Sequence, residues 1–369
     1  MSDKSAPKPL NLREYHRPKR IKLTDARIPT LSAESKRCLR NLAAYRPRKP
    51  KFPFPRERSA AVLVALFVGR LGDLYVLLSR RSSTLRSYAG DTSLPGGKVD
   101  PEDRTIEDTA RREAFEEIGL PRNKLQVPLL CVLEPFLSSN HLIVTPRVRL
   151  LVHFARLRIE SDTGFGTPQP ILNASEVASL FSHPLTSFLS SSPPFPTEPE
   201  LIEVPYHTTS DHTYLGPNDE IFPTRAHRFL TGREAGGIKP VFGLTACVFL
   251  PSLFHLPIPS LNSFMSLAAY TSSAILIKAA SVAHAPRVPD FEVMPPGAQT
   301  PEARIAWSVY SSPTFREAYA REGIRVDWNA VARIAGVKDM RLAGIRDEKD
   351  KAVRESSARH RRRAHRSKL

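Results

Sequence analysis

The stretch from Leu94 to Leu120, LPGGKVDPEDRTIEDTARREAFEEIGL, constrains this chain more than any other. It reads as a glycine turn, an acidic loop and then a helix carrying Glu113, Glu116 and Glu117. At i, i+3 and i+4 these glutamates share about a third of the helix circumference. Three like charges so close weaken a helix. A divalent cation removes that cost, because hard carboxylate oxygens suit Mg²⁺ or Mn²⁺. Ile106, Ala110, Ala114 and Ile118 recur at about 100° per residue and form an apolar stripe beside the glutamates. The acids therefore lie at the rim of the face that packs, where a metal cleft needs them. Gly119 supplies the helix stop. Taken alone, the same acids read equally well as a solvated face beside two arginines.

The neighbouring residues decide between these readings. The helix resembles the second half of the Nudix box, R-E-U-x-E-E-x-G-U with U apolar, through Arg112, Glu113, Ala114, Glu116, Glu117, Gly119 and Leu120. Counted from Gly97, the first acidic slot falls on Asp103, and the gap to Arg112 is one residue longer than the general pattern. Counted back from Gly119, that slot falls on Arg104. Upstream, LLSRRSSTLRSYAGDTSLPGG (Leu77 to Gly97) resembles the additional signature of the coenzyme A branch of the Nudix family, which accommodates the longer box. Leu77, Leu78, Arg81, Ser82, Leu85, Arg86, Gly90, Pro95, Gly96 and Gly97 match it, whereas Ser79 replaces Thr, Tyr88 replaces His and Leu94 replaces Phe. The resemblance covers about residues 58 to 255.

It implies an α/β fold, the Nudix α/β/α sandwich with a mixed β-sheet. It also implies metal-dependent cleavage of the pyrophosphate of coenzyme A, or of an acyl or oxidised form, with Mg²⁺ or Mn²⁺ as cofactor. Glu113, Glu116 and Glu117 are then the expected metal ligands and catalytic groups. Arg112 pairs with a box carboxylate such as Asp103 or Glu116 and orients it. One of the glutamates, or a loop carboxylate such as Glu176, takes the proton from the attacking water. Gly96 and Gly97 allow close backbone approach at a strand-to-loop corner. A basic loop from Arg80 to Arg86 carries Arg80, Arg81 and Arg86, whose guanidinium forks suit the 3′-phosphate that sets coenzyme A apart from a plain ADP conjugate. Lys98 is a candidate for the diphosphate.

Charge and composition bound the rest. The net charge is +17, and it is uneven: the first 58 residues carry about +12 and the last 19 about +7, so the middle is near neutral. Anionic partners are implied: nucleic acid, a membrane surface or a phosphorylated substrate. Cys38, Cys131 and Cys247 are too few and too scattered for a disulfide framework or a zinc ribbon, and suit a reducing compartment or simple core cysteines. The start shows no apolar run, and neither Ala60 to Val68 nor Ala274 to Ala285, which Lys278 and His284 interrupt, is long and apolar enough to span a bilayer. No membrane span is expected.

Along the chain, residues 1–55 form a basic, Pro-rich and partly disordered arm with a short helix from Ser32 to Ala44. Residues 56–258 form the catalytic domain. Its expected elements are strands at Ala60 to Val68, Leu74 to Ser79, Leu129 to Phe136 and Val144 to Leu157, with Pro146 and Arg147 marking an edge or a bend. Asn173 to Phe181 reads as a helix, residues 190–240 as a loop insertion with variable strands, and Phe242 to Leu250 resembles the family's closing helix. Residues 259–346 are a helical extension: a helix from Leu261 to His284, a linker to Pro301, and short helices at Thr314 to Gly323 and Val326 to Ala335. Residues 347–369 are a charged tail.

That tail ends in Ser367, Lys368 and Leu369, the tripeptide read by the peroxisomal import receptor. The basic run before it also fits a solvating tail or a nuclear signal. Because acyl-coenzyme A chemistry runs in peroxisomes, the expectation is a peroxisomal matrix protein. Two other functions fit parts of the sequence: a Nudix diphosphatase for another nucleoside diphosphate derivative, and a basic RNA-binding protein on a Nudix scaffold. The upstream signature argues against the first. Intact glutamates, and no basic–aromatic interleaving, make nucleic acid an unfavoured partner.

Overall fold

The computed structural model describes residues 31–85, 90–124, 126–138, 140–151, 172–194, 205–234, 237–241 and 271–338. Helix α1 (Ala33–Ala44) precedes a hairpin of β1 (Ser59–Val68) and β2 (Leu74–Arg81). Two short strands follow, β3 (Thr92–Ser93) and β4 (Gly96–Lys98), and then helix α2 (Ile106–Ile118). Next come β5 (Leu129–Val132), β6 (Phe136–Leu137), β7 (Ile143–Leu150) and β8 (Val177–Pro184). A separate antiparallel sheet holds β9 (His207–Leu215), β10 (Ile221–Glu234) and β11 (Gly237–Val241). Four helices complete the described residues: α3 (Thr271–Ala283), α4 (Pro301–Ser311), α5 (Pro313–Glu322) and α6 (Trp328–Ala335).

The main sheet is mixed. β1 runs parallel to β7 along Ser59 to Leu66 and antiparallel to its other neighbours. β1 meets β2 only at Leu66 to Val68, and its first half pairs instead with β4. β3 pairs with the far end of β2, so the segment from Thr92 to Lys98 crosses from β2 to β1 where those strands part. This crossing puts the two glycines between the strands and beneath α2.

Alternation along β1 sorts its side chains to two layers. Ala61, Leu63 and Ala65 pack with the α2 stripe of Ile106, Ala110, Ala114 and Ile118. Ala60, Val64 and Leu66 pack with Leu39 and Leu42 of α1 and with Ile275 to Ala283 of α3. The result is an α/β/α sandwich. Each fully buried Leu or Ile contributes on the order of 1.5–3 kcal/mol through burial. The expected helix over residues 32–44 is present, and with Phe52 and Phe54 it belongs to the core. The helical segment after Thr271 likewise joins that core; residues 261–270 of its expected helix lie outside the described residues. A further helix, α4, follows the expected linker in a stretch of the helical extension that was given no element, and it packs with α5, α6, Phe52 and Phe54.

Two expectations are corrected. Pro146 and Arg147 mark no edge: β7 lies inside the sheet, between β1 and the pair β5 and β6. Proline is accommodated because it faces the break between β5 and β6, where the Leu133 N–H donates to its carbonyl at 3.1 Å. Residues 173–181 are not helical. The Asn173 side chain accepts from the Ser175 N–H and hydroxyl, which makes a local turn, and β8 then pairs with β2 from Tyr75 to Arg81. Val177 to Phe181 gain sheet hydrogen bonds that no isolated helix there would match.

Candidate active site

Helix α2 is held at both ends. Thr105 and Asp108 form a reciprocal capping box at its start. Gly119 ends it in the left-handed conformation at φ 67°, and the Leu120 N–H reaches back to the Ala114 carbonyl at 3.1 Å. The helix therefore presents Glu113 and Glu117 to the strand crossing at a fixed angle.

Glu117 is 5% exposed, and its Oε2 accepts from the Gly96 N–H at 3.1 Å. Burial pushes its carboxyl up to about 8; Glu113 adds to the shift, while the Gly96 N–H and Arg81 oppose it. Glu113 is also raised by burial, against the pull of Arg112. The diglycine is shaped around these acids. A Cβ on Gly97 would stand 2.3 Å from Glu113 Oε1, and one on Gly96 would stand 2.3 Å from the Ala61 carbonyl oxygen. Gly96 also sits at φ 155°. These glycines lie in β4, paired with Ala61 and Val62, not at a free corner.

Arg112 is the electrostatic centre. Its Nε and Nη2 donate to the two oxygens of Asp103 at 3.1 and 3.0 Å, and Nη1 donates to Glu113 Oε1 and Glu116 Oε2, each at 3.0 Å. Nη2 also donates to the Lys98 carbonyl, and Asp100 lies 3.4 Å from Nη1. Hydrogen bonding to Asp103 leads in raising its pKa. Asp103 is buried, which raises its own pKa, but Arg112 and the Asp100 N–H outweigh burial and hold it below the usual range. Lys98 itself is exposed, and its backbone carbonyl accepts from Arg112.

The three glutamates do not converge. Glu116 turns outward to Arg112 and to Arg122 at 3.5 Å. No choice of one oxygen from each of the three puts all within 4.8 Å of one another. The donor set nonetheless fits a hard cation: Glu117 is buried, Glu113 is partly buried, both have raised pKa, and Glu116, Asp100 and Glu176 add negative charge around them.

Arg80 and Arg81 end β2 and are not in a loop. Arg81 acts electrostatically on Glu117, and its Nε is buried with no hydrogen-bond partner among the described residues. Arg86 lies outside them, as do Phe242 to Leu250 and Ser367 to Leu369. Glu176 reaches the site through its turn. The Ser82 N–H donates to its carbonyl at 2.8 Å, and the Asn173 N–H donates to the Glu117 carbonyl at 3.1 Å.

Sequence reasoning missed the layer beneath the site. Glu107 of α2 is buried against Arg111 at 3.2 Å and Arg149 at 2.9 Å. Arg147 and Arg149 alternate along β7 on the face toward α2, and Arg149 is fully buried. Burial pushes Glu107 up, but Arg149, Arg111 and Arg147 outweigh it and hold the carboxyl at about 2. Burial pulls Arg149 down to about 10. The only signal in sequence was Arg147 and Arg149 at spacing two inside an apolar strand.

A strand crossing under a capped, acid-bearing helix defines a class of protein, and the comparisons with known proteins name it. The NUDIX domain model matches residues 56–200. Over 146 residues the chain is 42% identical to an uncharacterized Nudix hydrolase NudL of Photorhabdus laumondii, a match covering 40% of this chain and 69% of that one. The chain belongs to the Nudix hydrolase family. It is 38% identical over 176 residues to a Saccharomyces cerevisiae protein named peroxisomal coenzyme A diphosphatase 1, covering 42% of this chain and 51% of that protein. It is 42% identical over 134 residues to Nudix hydrolase 15, mitochondrial, of Arabidopsis thaliana, covering 36% and 42%. The chain thus spans about half the length of these last two relatives or less. Among the described residues no helix is long and apolar enough to cross a membrane.

Proposed function

We propose that this chain hydrolyses the pyrophosphate bond of coenzyme A, or of its acyl or oxidised forms, to 3′,5′-ADP and a 4′-phosphopantetheine species. The observation that carries the reading is the position of Arg81. It stands beside the acid cluster with a buried guanidinium nitrogen that no described residue engages. A desolvated arginine donor next to carboxylates fits an anionic group of the substrate. The yeast relative supports the same substrate class.

Glu113 and Glu117, with Glu116 once released from Arg112, would hold Mg²⁺ or Mn²⁺. When bound, such an ion draws charge from the diphosphate oxygens and makes water easier to deprotonate. Arg112 stays anchored on Asp103 throughout and holds Glu113 in fixed relation to it. One water is consumed, and its proton passes to a carboxylate of the cluster; Glu117, Glu113 and Glu176 are the groups within reach of that role. Arg80 and Arg81, with Arg86, read the 3′-phosphate.

The test is purified protein with coenzyme A and Mg²⁺ or Mn²⁺, products separated by chromatography. Better cleavage of ADP-ribose or NADH than of any coenzyme A species would overturn the substrate. Arg81→Ala should lower kcat/KM for coenzyme A by tenfold or more relative to the 3′-dephospho form, since a charged hydrogen bond contributes about 1.5–3 kcal/mol. Equal losses would remove Arg81 from 3′-phosphate recognition. Location in peroxisomes belongs to the same proposal, supported by the tripeptide Ser367, Lys368 and Leu369 and by the yeast relative. Imaging an N-terminally tagged chain with and without Leu369 decides it.

A further inference from the structure

On the opposite side of the sheet from α2, three metal-ligating side chains meet that no step of the proposed chemistry uses. Glu34 and Cys38 stand at i and i+4 on α1, and His284 follows the last turn of α3. The Cys38 Sγ lies 3.4 Å from His284 Nδ1, which lies 2.9 Å from Glu34 Oε1. One atom from each falls within 4.8 Å of the other two. Bonds of about 2.0–2.3 Å to a tetrahedral Zn²⁺ put its ligand atoms about 3.3–3.8 Å apart. The Cys38–His284 separation already lies in that range, and the His284–Glu34 separation is about 0.4 Å below it.

Chemistry and surroundings point the same way. A thiol, an imidazole and a carboxylate suit a borderline ion and not Mg²⁺, which prefers oxygen alone. The ring of His284 directs both its polar contacts through Nδ1, and its buried Nε2 has no hydrogen-bond partner among the described residues. The ring is thus turned wholly toward the point that Cys38 and Glu34 share. One helical turn on from Cys38, Asn41 donates to the carbonyls of Ala283 and Ala285 at 2.9 and 3.1 Å, which fixes the backbone on both sides of His284. Cys38 is fully buried while Glu34 is half exposed, so the open side faces solvent and admits water as the fourth ligand. Arg37, 3.9 Å from Glu34 and itself half exposed, is a local cation that such an ion would displace from Glu34.

We infer that Glu34, Cys38 and His284 form a structural site for a Zn²⁺-class ion that ties the first helix to the end of the third. Binding releases the thiol proton to solvent. The site is remote from α2, and its test needs no turnover.

The full chain, freed of metal, is titrated with Co²⁺ and followed by absorption. A thiolate-to-cobalt charge-transfer band is expected, because the acid cluster on α2 offers only oxygen to the ion. Zn²⁺ should displace Co²⁺ and raise Tm. Cys38→Ser should abolish the band and Glu117→Gln should leave it. Glu34→Gln, which keeps both buried ligands in place, should weaken Zn²⁺ binding by ~10-fold or more. Absence of the band from the wild-type chain, its persistence in Cys38→Ser, or unchanged Zn²⁺ affinity in Glu34→Gln would each overturn the site.

Discussion

Arg112 and Asp103 meet in a two-pronged ion pair, Nε to Oδ1 at 3.1 Å and Nη2 to Oδ2 at 3.0 Å, and this pair sets the orientation of every other contact Arg112 makes. Its remaining nitrogen, Nη1, bridges Glu113 and Glu116. Asp103→Ala should let the guanidinium turn freely. Loss of such charged hydrogen bonds costs about 1.5–3 kcal/mol, which a lower denaturant midpoint with unchanged slope will report. The proposed hydrolysis should slow at the same time. Wild-type turnover in the variant would show that Arg112 needs no anchor.

The two glycines of β4 should fail differently. In Gly97→Ala the new methyl meets a side chain, the Glu113 carboxylate, which can swing aside. Fold should survive while turnover drops. In Gly96→Ala it meets the Ala61 carbonyl and the Val62 Cα, at a φ that L residues rarely adopt. Destabilisation of roughly 1–3 kcal/mol is expected there. Thermal melts beside activity assays separate the two; similar profiles for both variants would contradict the geometry.

Glu117 ties stability to pH. Its folded carboxyl titrates near 8, above the ordinary value of 4.5. The folded chain thus keeps a proton that the unfolded chain has lost, and stability falls as pH rises from about 4.5 to about 8. In metal-free protein Glu117→Gln should remove that fall and stabilise the chain at pH 8 by on the order of 1–3 kcal/mol. Parallel Tm curves for the two proteins across this range would refute the assignment.

Beneath the site, Glu107→Gln should be the most damaging of these changes to the fold. It leaves Arg149, fully buried, facing an uncharged amide. Breaking one half of a buried pair costs about 3–5 kcal/mol. Because Glu107 is held at about 2, the wild-type pair should persist at pH 4. Chemical denaturation at pH 4 and pH 7 checks both statements. A change below 1 kcal/mol would mean that solvent reaches Arg149.

Local rules alone placed α2 and its stop at Gly119. The apolar stripe, the closing Gly119 and the spacing of Glu113, Glu116 and Glu117 are properties of neighbouring residues on one helix, so the 3.6-residue period makes them legible. The strands β1 and β2 were legible as local apolar runs. What lay beyond local reach was decided by pairing across the chain. Residues 173–181 became turn and strand because β2 offered an edge, and that choice brought Glu176 toward Glu117. Pro146 could enter an interior strand because its neighbour breaks there. Arg149 could be buried because Glu107, 42 positions earlier, faces it across the sheet-to-helix layer. Cys38 and His284, 246 positions apart, meet only because α1 and α3 share a face of that sheet. Side-chain periodicity is written in the sequence, but the partner that satisfies a buried charge, proline or thiol exists only once distant segments are packed together.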